Sequence, residues 1–286
     1  MIKNLCDSVK IPMVGFGTYL IKSEETSKYV LSAIRAGYRH IDTAEAYGNE
    51  EGVGQAIKIA QNEIGISRED IFVTTKLWPG NEFPDQPQKT FESTLESLNA
   101  SLEKLNLNYI NMYLIHAPFS KENRLEQWRA LIEIKKMGKA KYIGVCNYNK
   151  SHINQIKNAG FSLPEVNQIE LHPWSQKKSL VSYLIANKVF PIAYSSLVPL
   201  PEWRVVEGQN SAKTDKMRSD GANKNSPFKI MAKKYGVSEA QVLLRWGLQK
   251  GYPVIPKSTN DYRISQNINI FSFEIDDQDM ESISNM

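Results

Sequence analysis

The sequence has few of the features that mark secreted, metal-binding and membrane proteins. Only two of its 286 residues are cysteines, Cys6 and Cys146, so no disulfide framework is expected, and no Cys/His cluster has zinc spacing. The N-terminal residues lack the apolar run of a signal peptide, and no later stretch is apolar enough to span a bilayer. These absences predict a cytoplasmic protein without a metal site.

The sequence also lacks any block of like charge. Its formal net charge of +4 arises from Lys and Arg scattered along the chain, which does not indicate binding to nucleic acid or to a membrane surface. A few cations focused on one anionic ligand explain the excess equally well. Hydrophobic residues make up 41% and charged residues 23%, which is ordinary for a globular protein with a sizeable core.

An alternation of strand-like and helix-like segments runs through the whole chain. β-Branched and apolar runs predict eight strands, the first of which follows the end of an N-terminal β-hairpin. Residues 11–19 are predicted to hold the end of this hairpin and the first strand, and the other predicted strands are residues 38–41, 70–76, 109–115, 140–145, 165–169, 190–194 and 252–255. The predicted helices are residues 24–36, 49–60, 91–105, 124–137, 150–159, 178–187 and 228–250, with an interruption at 236–238, and one last helix before a C-terminal tail.

This alternation, which has no linker and no second composition, predicts one parallel α/β domain over residues 1–286. Eight strand–helix units favour a closed (β/α)8 TIM barrel, and the chain length suits that fold. The alternative is an open Rossmann fold, which needs a glycine-rich turn directly after its first strand. Residues 15–20 read Gly-Phe-Gly-Thr-Tyr-Leu and lack the third glycine, so the sequence favours the barrel.

Polar side chains lie at the ends of seven of the predicted strands. In a barrel the carboxyl ends of the strands meet at one mouth, where the active sites of such proteins lie. A single polar residue at a strand end is explained by solvation, whereas seven together indicate a site. These residues are Asp42, Lys76, His116, Asn147, Gln168, Tyr194 with Ser195, and Lys257 with Ser258.

Four residues near this mouth fit the reduction of a carbonyl group. Tyr47 can act as a general acid, but a free phenol with a pKa of about 10 donates poorly at neutral pH. The ammonium of Lys76 is expected to lower that pKa, and Asp42 is expected to hold Lys76 in place. His116 is expected to hydrogen-bond the substrate carbonyl. Because the set has no strong nucleophile and no carboxylate pair spaced for hydrolysis, it points to a nicotinamide cofactor as electron donor.

Two ordered motifs carry a family resemblance. Residues 39–44 read Arg-His-Ile-Asp-Thr-Ala, and residues 47–50 read Tyr-Gly-Asn-Glu, in which Asn49 also has the pattern of a helix N-cap. Together they resemble the signature of the aldo-keto reductases, and the resemblance extends from Gly15 to about Phe273. It implies a monomeric, NADP-dependent oxidoreductase that reduces small-molecule aldehydes and ketones to alcohols with NADPH. The catalytic tetrad that it implies is Asp42, Tyr47, Lys76 and His116.

The resemblance also implies a cofactor site. Cys146 takes the place of a serine in the family's Gly-Val-Ser-Asn-Phe motif and is a weaker hydrogen-bonding group. Tyr194 matches the aromatic residue that stacks on the nicotinamide. Lys257 and Arg263 match the site of the adenosine 2′-phosphate, which favours NADPH over NADH. At Gln266 many relatives have glutamate. The expected cofactor contacts are Gly17, Thr18, Asp42, Cys146, Asn147, Gln168, Tyr194, Ser195, Leu197, Lys257, Ser258, Thr259, Arg263, Gln266 and Asn267.

The substrate side is the least specific part of the resemblance. It thins at residues 117–123, at residues 197–227 and at the C-terminus, which form the substrate pocket in the family, and these loops carry no residue code for one particular carbonyl substrate. The polar segment 197–227 is expected to close over the cofactor, with Trp203 or residues 197–200 as its apolar anchor. The expected substrate contacts are Tyr19, Tyr47, Trp78 and His116, with Trp174 as a further candidate.

Two other functions stay open at the level of the sequence. On the same fold, Lys76 suits the Schiff-base amine of an aldolase, although that reaction leaves Asn147, Gln168 and Tyr194 unexplained. The second alternative is a non-catalytic relative that keeps the cofactor site, which the intact tetrad disfavours. Consumption of NADPH with a panel of small aldehydes distinguishes the reductase from both.

Overall fold

A computed structural model of the chain describes residues 2–6, 9–81, 86–200, 219, 221–223 and 225–286. The N-terminal strands β1 (Ile2–Cys6) and β2 (Val9–Pro12) pair antiparallel as a separate two-stranded sheet. Residues 7–8, which join these strands, lie outside the described residues, so the predicted hairpin stays a prediction.

The other described strands form one seven-stranded parallel sheet in chain order. They are β3 (Phe16–Gly17), β4 (His40–Asp42), β5 (Phe72–Leu77), β6 (Ile110–Ile115), β7 (Ala140–Cys146), β8 (Val166–Glu170) and β9 (Phe190–Tyr194). Every residue of β4, β5 and β6 is buried, as expected for parallel strands that are covered on both faces.

Helices connect consecutive strands, in agreement with the predicted alternation. The helices before β9 are α1 (Ser23–Arg35), α2 (Glu50–Ile59), α3 (Phe91–Leu105), α4 (Arg124–Lys136), α5 (Lys150–Asn158) and α6 (Lys178–Ala186). Those after β9 are α7 (Pro227–Tyr235), α8 (Glu239–Gln249), α9 (Asp261–Ile268) and α10 (Asp277–Ser284). None of the described helices is both long and apolar enough to cross a membrane.

Two helix starts show how local sequence decides the elements after β9. Ser238, predicted as an N-cap, accepts a hydrogen bond from the backbone N–H of Gln241 at 3.3 Å and is confirmed as the start of α8. The sequence predicts a tail where α10 lies. Asp276 caps α10 by accepting from Asp279 N at 2.9 Å, a signal that was present in the sequence.

The predicted eighth strand, residues 252–255, is present only as isolated bridges at Val254. This residue pairs with both edges of the sheet, next to β3 and at Ala193 in β9. Because Pro253 and Pro256 have no N–H group, a regular ladder cannot extend in either direction. The described sheet is therefore seven-stranded and curled, and its two edges contact the same short segment.

Two glycines allow this segment to approach β3. A Cβ atom at Gly17 would lie 2.9 Å from the carbonyl oxygen of Ile255, and one at Gly15 would lie 2.5 Å from His40 Nδ1. Gly17 N also donates to the carbonyl of Pro256 at 3.0 Å. The close neighbours of these glycines are thus the backbone of the chain itself and a buried histidine.

The core between the sheet and the helices is apolar, with Trp128 of α4 and Trp246 of α8 among its largest fully buried side chains. Asp42 and Lys76 are exceptions, because they are buried to 2% and 0% exposure near the carboxyl ends of β4 and β5. Buried charges need partners, and these two residues form the centre of the candidate site.

Candidate active site

A buried ion pair lies where β4 and β5 end. Lys76 Nζ donates to Asp42 Oδ1 at 2.6 Å and to the carbonyl of Thr43 at 2.7 Å, while Asp42 Oδ2 accepts from Gln168 Nε2 at 2.8 Å. Burial alone would lower the pKa of Lys76, but the facing carboxylate of Asp42 outweighs it, and the pKa is raised above its ordinary value. The predicted pairing of Asp42 with Lys76 is confirmed, and Lys76 is a fixed ammonium.

Tyr47 lies beside this pair, in a short 3₁₀ turn (Glu45–Tyr47) between β4 and α2. Its ring centroid is 5.0 Å from Lys76 Nζ and 5.4 Å from the ring centroid of His116. Burial raises the pKa of Tyr47 to about 12, although the charge of Lys76 acts in the opposite direction. The net lowering expected from the sequence is therefore wrong, because desolvation of the phenol exceeds the effect of the ammonium.

His116 follows β6 and is neutral at physiological pH. Burial lowers the pKa of His116 to about 3, and the charge of Lys76 acts in the same direction. Its Nδ1 atom is buried and has no hydrogen-bond partner among the described residues. Since an unpaired buried N–H is rarer than an unpaired acceptor, the Nε2–H tautomer is favoured.

Aromatic side chains form a wall next to Tyr47 and His116. The ring of Tyr19 is 42% exposed and lies 5.0 Å from that of Tyr47, and the ring of Trp78 lies 5.9 Å from that of His116. The structure thus brings the four expected substrate contacts together. Phe119, which is 51% exposed and 5.7 Å from Trp78, extends this aromatic wall. The sequence analysis missed Phe119 because it lies in a connection without periodic pattern, and its only signal is its position shortly after His116.

The residues expected around the nicotinamide are partly in contact with one another. Asn147 has a left-handed backbone (φ 62°), its Nδ2 donates to the carbonyl of His116 at 3.3 Å, and its Oδ1 accepts from Tyr194 Oη at 2.8 Å. Cys146 is buried in an apolar cluster with Met112, and burial raises the pKa of its thiol. Cys146 is therefore a neutral thiol at the end of β7.

Thr18 is fully buried and hydrogen-bonded within the chain. Its N and Oγ1 donate to the carbonyl of Asp42 at 2.9 and 3.3 Å. Asn49 Nδ2 donates to the carbonyls of Thr18 and Ile21 at 2.9 and 3.0 Å, and Asn49 Oδ1 accepts from Thr43 Oγ1 at 2.9 Å. Asn49 holds the N-cap position of α2, but its side chain makes no capping bond and instead joins the loop after β3 to the loop after β4.

The residues expected at the 2′-phosphate surround the start of α9. Asn260 caps the helix by accepting from Arg263 N at 3.0 Å, and Asn260 N donates to Ser258 Oγ at 3.1 Å. Lys257, Thr259 and Arg263 are exposed. Two cations and two hydroxyl groups at a helix N-terminus form a donor set that suits a dianionic phosphate.

The loop after β9 is described only at its beginning. Ser195 has a left-handed backbone (φ 55°) and accepts from Val198 N at 3.1 Å. Val198 is buried, and Leu197 packs against the main core, so the start of the loop is anchored by apolar contacts. Trp203 and residues 201–218 lie outside the described residues, so closure of this loop over the cofactor stays a prediction.

Three further residues were predicted as cofactor or substrate contacts, and each of them contacts other residues of the chain. Gln266 Nε2 donates to Tyr262 Oη at 3.0 Å, and Asn267 is buried in α9. Trp174 packs edge-on against Phe228 of α7, at 6.1 Å between the ring centroids. Trp174 also packs against the main hydrophobic core.

Comparisons with known proteins agree with this geometry. The model of the Aldo/keto reductase family matches residues 13–286. The glyoxal reductase of Bacillus subtilis is 37% identical over 280 residues, 98% of this chain and 90% of that protein. The 9,11-endoperoxide prostaglandin H2 reductase of Trypanosoma cruzi is 36% identical over 283 residues, 99% of this chain and 90% of that protein. A crystal structure of a Bombyx mori aldo-keto reductase in complex with NADP has a TM-score of 0.85 at 33% identity and covers 100% of this chain and 92% of that chain.

The curled parallel sheet, with charged and aromatic side chains at the carboxyl ends of its strands, defines the class of α/β enzymes whose active site lies at that end. Given the family match and the identities over nearly the whole chain, the protein belongs to the aldo-keto reductase family. It is an NADP-dependent oxidoreductase, and its cofactor is NADP(H).

Proposed function

We propose that the chain reduces aldehydes and ketones to alcohols and that Tyr47 donates the proton. The observation that carries this proposal is the cluster in which the ammonium of Lys76 lies 2.6 Å from Asp42 and 5.0 Å from the ring centroid of Tyr47. When bound, the reduced nicotinamide supplies a hydride to the carbonyl carbon. The residues of the chain supply the proton, the charge that favours the remaining phenolate, and the orientation of the carbonyl group.

Tyr47 holds the proton that the carbonyl oxygen needs. With its pKa raised to about 12, the phenol is protonated at neutral pH. Its O–H bond breaks as the O–H bond of the alcohol forms, and the phenolate then takes a proton from solvent. The ammonium of Lys76 favours this phenolate, and Asp42 keeps Lys76 charged and in place.

His116 orients the substrate. Because its pKa is lowered to about 3, the imidazole is neutral and acts as a hydrogen-bond donor to the carbonyl oxygen, not as a competing acid. Its ring lies between Tyr47 and Trp78, at 5.4 and 5.9 Å between centroids. An oxygen that accepts from His116 is therefore placed next to the phenol.

The aldolase alternative has less support than the reductase. A Schiff base forms on a neutral amine, whereas the pKa of Lys76 is raised and its ammonium donates to both Asp42 and Thr43. Freeing this amine would break a buried ion pair. A phenol that donates a proton needs a fixed ammonium beside it, and the same contacts hold Lys76 in that state.

NADPH would be held along the same edge of the sheet. The amides of Asn147 and Gln168 and the ring of Tyr194 would face the nicotinamide, and Gln168 is tied to the catalytic pair through Asp42. The residues that would hold the 2′-phosphate are Lys257, Ser258, Thr259 and Arg263. Both groups of residues have the hydrogen-bonding and charge chemistry that the cofactor requires.

The whole chain forms one closed (β/α)8 barrel domain in this proposal, with residues 252–255 as its eighth strand. Support comes from Val254 N, which donates to the carbonyl of Met13 at 2.9 Å, and from Ala193 N, which donates to the carbonyl of Pro253 at 2.8 Å. One chain supplies every residue of the tetrad, which fits a monomeric enzyme.

A substrate panel tests the proposed function. Purified protein is mixed with NADPH and with glyoxal, an aromatic aldehyde or a ketone, and NADPH consumption is followed by absorbance. We expect turnover with at least one carbonyl compound. NADPH binding without turnover across the panel would instead identify a non-catalytic relative, and carbon–carbon bond cleavage without NADPH would identify an aldolase.

A further inference from the structure

Glu45 connects the turn that carries Tyr47 to the end of β5. Its Oε2 accepts from the backbone N–H of Trp78 at 2.8 Å, and its Oε1 accepts from Lys89 Nζ at 2.5 Å. Both side chains are partly buried, with 26% of Glu45 and 18% of Lys89 exposed. Charge-assisted bonds of this length are among the stronger hydrogen bonds in proteins.

Glu45 carries the side chain that ties this turn to the backbone just after β5. The neighbours of Glu45 are Ala44 and Ala46, which have no polar side-chain atoms. The turn ends at Gly48, whose left-handed backbone (φ 64°) allows the chain to enter α2. Between the anchor at Asn49 and the end of β4, the carboxylate of Glu45 therefore fixes the backbone that carries Tyr47, while the ring of Tyr47 packs against its neighbours in the site.

The partners of Glu45 are themselves fixed. Trp78 follows β5 directly and is two residues from Lys76, so a bond to its N–H sets the turn relative to the catalytic ammonium. Lys89 belongs to a loop that α4 holds, since Gln127 Nε2 donates to the carbonyls of Lys89 and Pro79 at 2.9 Å each. Gln127 is fully buried. The turn is thus tied to the end of β5 and, through Lys89, to α4.

We infer that Glu45, with Lys89, is a positioning residue that keeps the phenol of Tyr47 in register with Lys76. The inference rests on the proposed function, in which Tyr47 is the proton donor. Glu45 acts through the geometry of the turn, and neither Glu45 nor Lys89 belongs to the residues that would touch NADPH. Loss of Glu45 should therefore lower kcat for carbonyl reduction and leave cofactor affinity unchanged.

The chain offers a matched control at the opposite end of the sheet. Glu165, directly before β8, accepts from Lys135 Nζ at 2.7 Å and from the backbone N–H of Ile143 at 2.9 Å. It repeats the contact pattern of Glu45, which is one lysine and one backbone N–H, away from the carboxyl ends of the strands. Glu165→Ala and Lys135→Met therefore report what the loss of such a pair does through stability alone.

The experiment measures kcat, KM and the Kd of NADPH for Glu45→Ala, Glu45→Gln and Lys89→Met and for the two controls. Glu45→Ala should lower kcat roughly ten- to a hundredfold, since small misplacements of a reacting group have effects of this size. Glu45→Gln keeps an acceptor for Trp78 N and should stay within about fivefold of wild type. Lys89→Met keeps the carboxylate of Glu45 as the acceptor for Trp78 N, so its kcat should fall less than that of Glu45→Ala. The Kd of NADPH should stay within about twofold in all variants.

Three results would overturn the inference: a kcat of Glu45→Ala within about twofold of wild type, an equal loss of kcat in Glu165→Ala, or an equal loss of NADPH affinity. If Glu45→Ala does not fold, the kcat values of Glu45→Gln and Lys89→Met decide. Both variants keep an acceptor for Trp78 N. Wild-type kcat in Lys89→Met together with a loss of kcat in Glu45→Gln would therefore contradict a role of the Trp78 contact. Tyr47→Phe separates the two proposals. Full turnover in Tyr47→Phe refutes the proton donor itself, whereas an inactive Tyr47→Phe beside an active Glu45→Ala refutes only the role of Glu45.

Discussion

Lys76 and Asp42 show how burial makes two residues depend on each other. Lys76 is fully buried, and its ammonium pairs with one carboxylate and donates to one backbone carbonyl. Breaking a buried ion pair by removing one partner leaves the other charge uncompensated, whereas replacing both partners often has little effect on stability. The contribution of this pair to stability and its proposed catalytic role can therefore be separated by mutation.

Lys76→Met should lower the free energy of unfolding by about 3–5 kcal/mol, because the buried carboxylate of Asp42 loses its cation and keeps the neutral donor Gln168. The double variant Lys76→Met with Asp42→Asn should regain most of that loss but stay inactive. Urea unfolding and NADPH consumption measure the two effects. Recovery of turnover in the double variant, or a loss below about 1 kcal/mol in the single variant, would contradict this view of the pair.

The sequence was enough to predict which side chains meet at the candidate site but not their ionisation. Asp42, Lys76 and His116 lie at strand ends, and parallel strands bring such ends together whatever the loops do. The pKa of Tyr47 depends on how completely the surrounding side chains exclude water, which is a property of packing between distant segments. The expected lowering by Lys76 is present, yet desolvation reverses the net direction.

At the scale of elements, we propose that the start of α9 decides the choice between NADPH and NADH. Lys257→Ala or Arg263→Ala should weaken NADPH binding by about 1.5–3 kcal/mol each, one to two decades in Kd, while NADH binding changes little. The reason is that these cations serve a phosphate that NADH lacks. Fluorescence titration with both cofactors measures the effect, and Arg129→Ala on α4 is the control. Equal losses for NADPH and NADH would place the phosphate site elsewhere.

Helices and strands were predictable from the sequence where a single segment has a clear pattern of apolar or β-branched residues. The apolar stripe of α3 and the β-branched run of β5 predict those elements from local sequence. The eighth strand was predicted as regular and is not, because Pro253 and Pro256 remove the donors that a ladder needs. Its pairing with both edges of the sheet requires those edges to come together in the fold. No pattern within residues 252–255 indicates this.

At the scale of the whole molecule, buried histidines couple stability to pH. His40 is fully buried against Phe72 and contacts Thr74 Oγ1 at 3.0 Å. Burial lowers the pKa of His40 from 6.5 to about 4. Because the folded pKa is below the unfolded one, the stabilisation is present above pH 6.5 and is lost as the pH falls towards 4, where the unfolded state binds the proton more readily.

As the pH falls from 7.5 to 4, the titration of His40 should therefore lower the free energy of unfolding by about 3 kcal/mol. His40→Asn should reduce this pH dependence, whatever its effect on stability at pH 7.5. His152→Asn on α5 is the control, because His152 is only half-buried and should contribute less. Urea unfolding at the two pH values measures the difference. An unchanged pH dependence in His40→Asn would mean that His40 is not the group responsible.

The most direct test of the central claim compares chemistry with cofactor binding in Tyr47→Phe. This variant keeps the aromatic ring beside Lys76 and His116 and removes only the hydroxyl that holds the proton. Turnover is measured with the best carbonyl substrate of the panel, and the Kd of NADPH is measured on the same preparation. The account predicts that turnover falls by at least about a hundredfold while the Kd stays within about twofold of wild type. Near-normal turnover in Tyr47→Phe would contradict it.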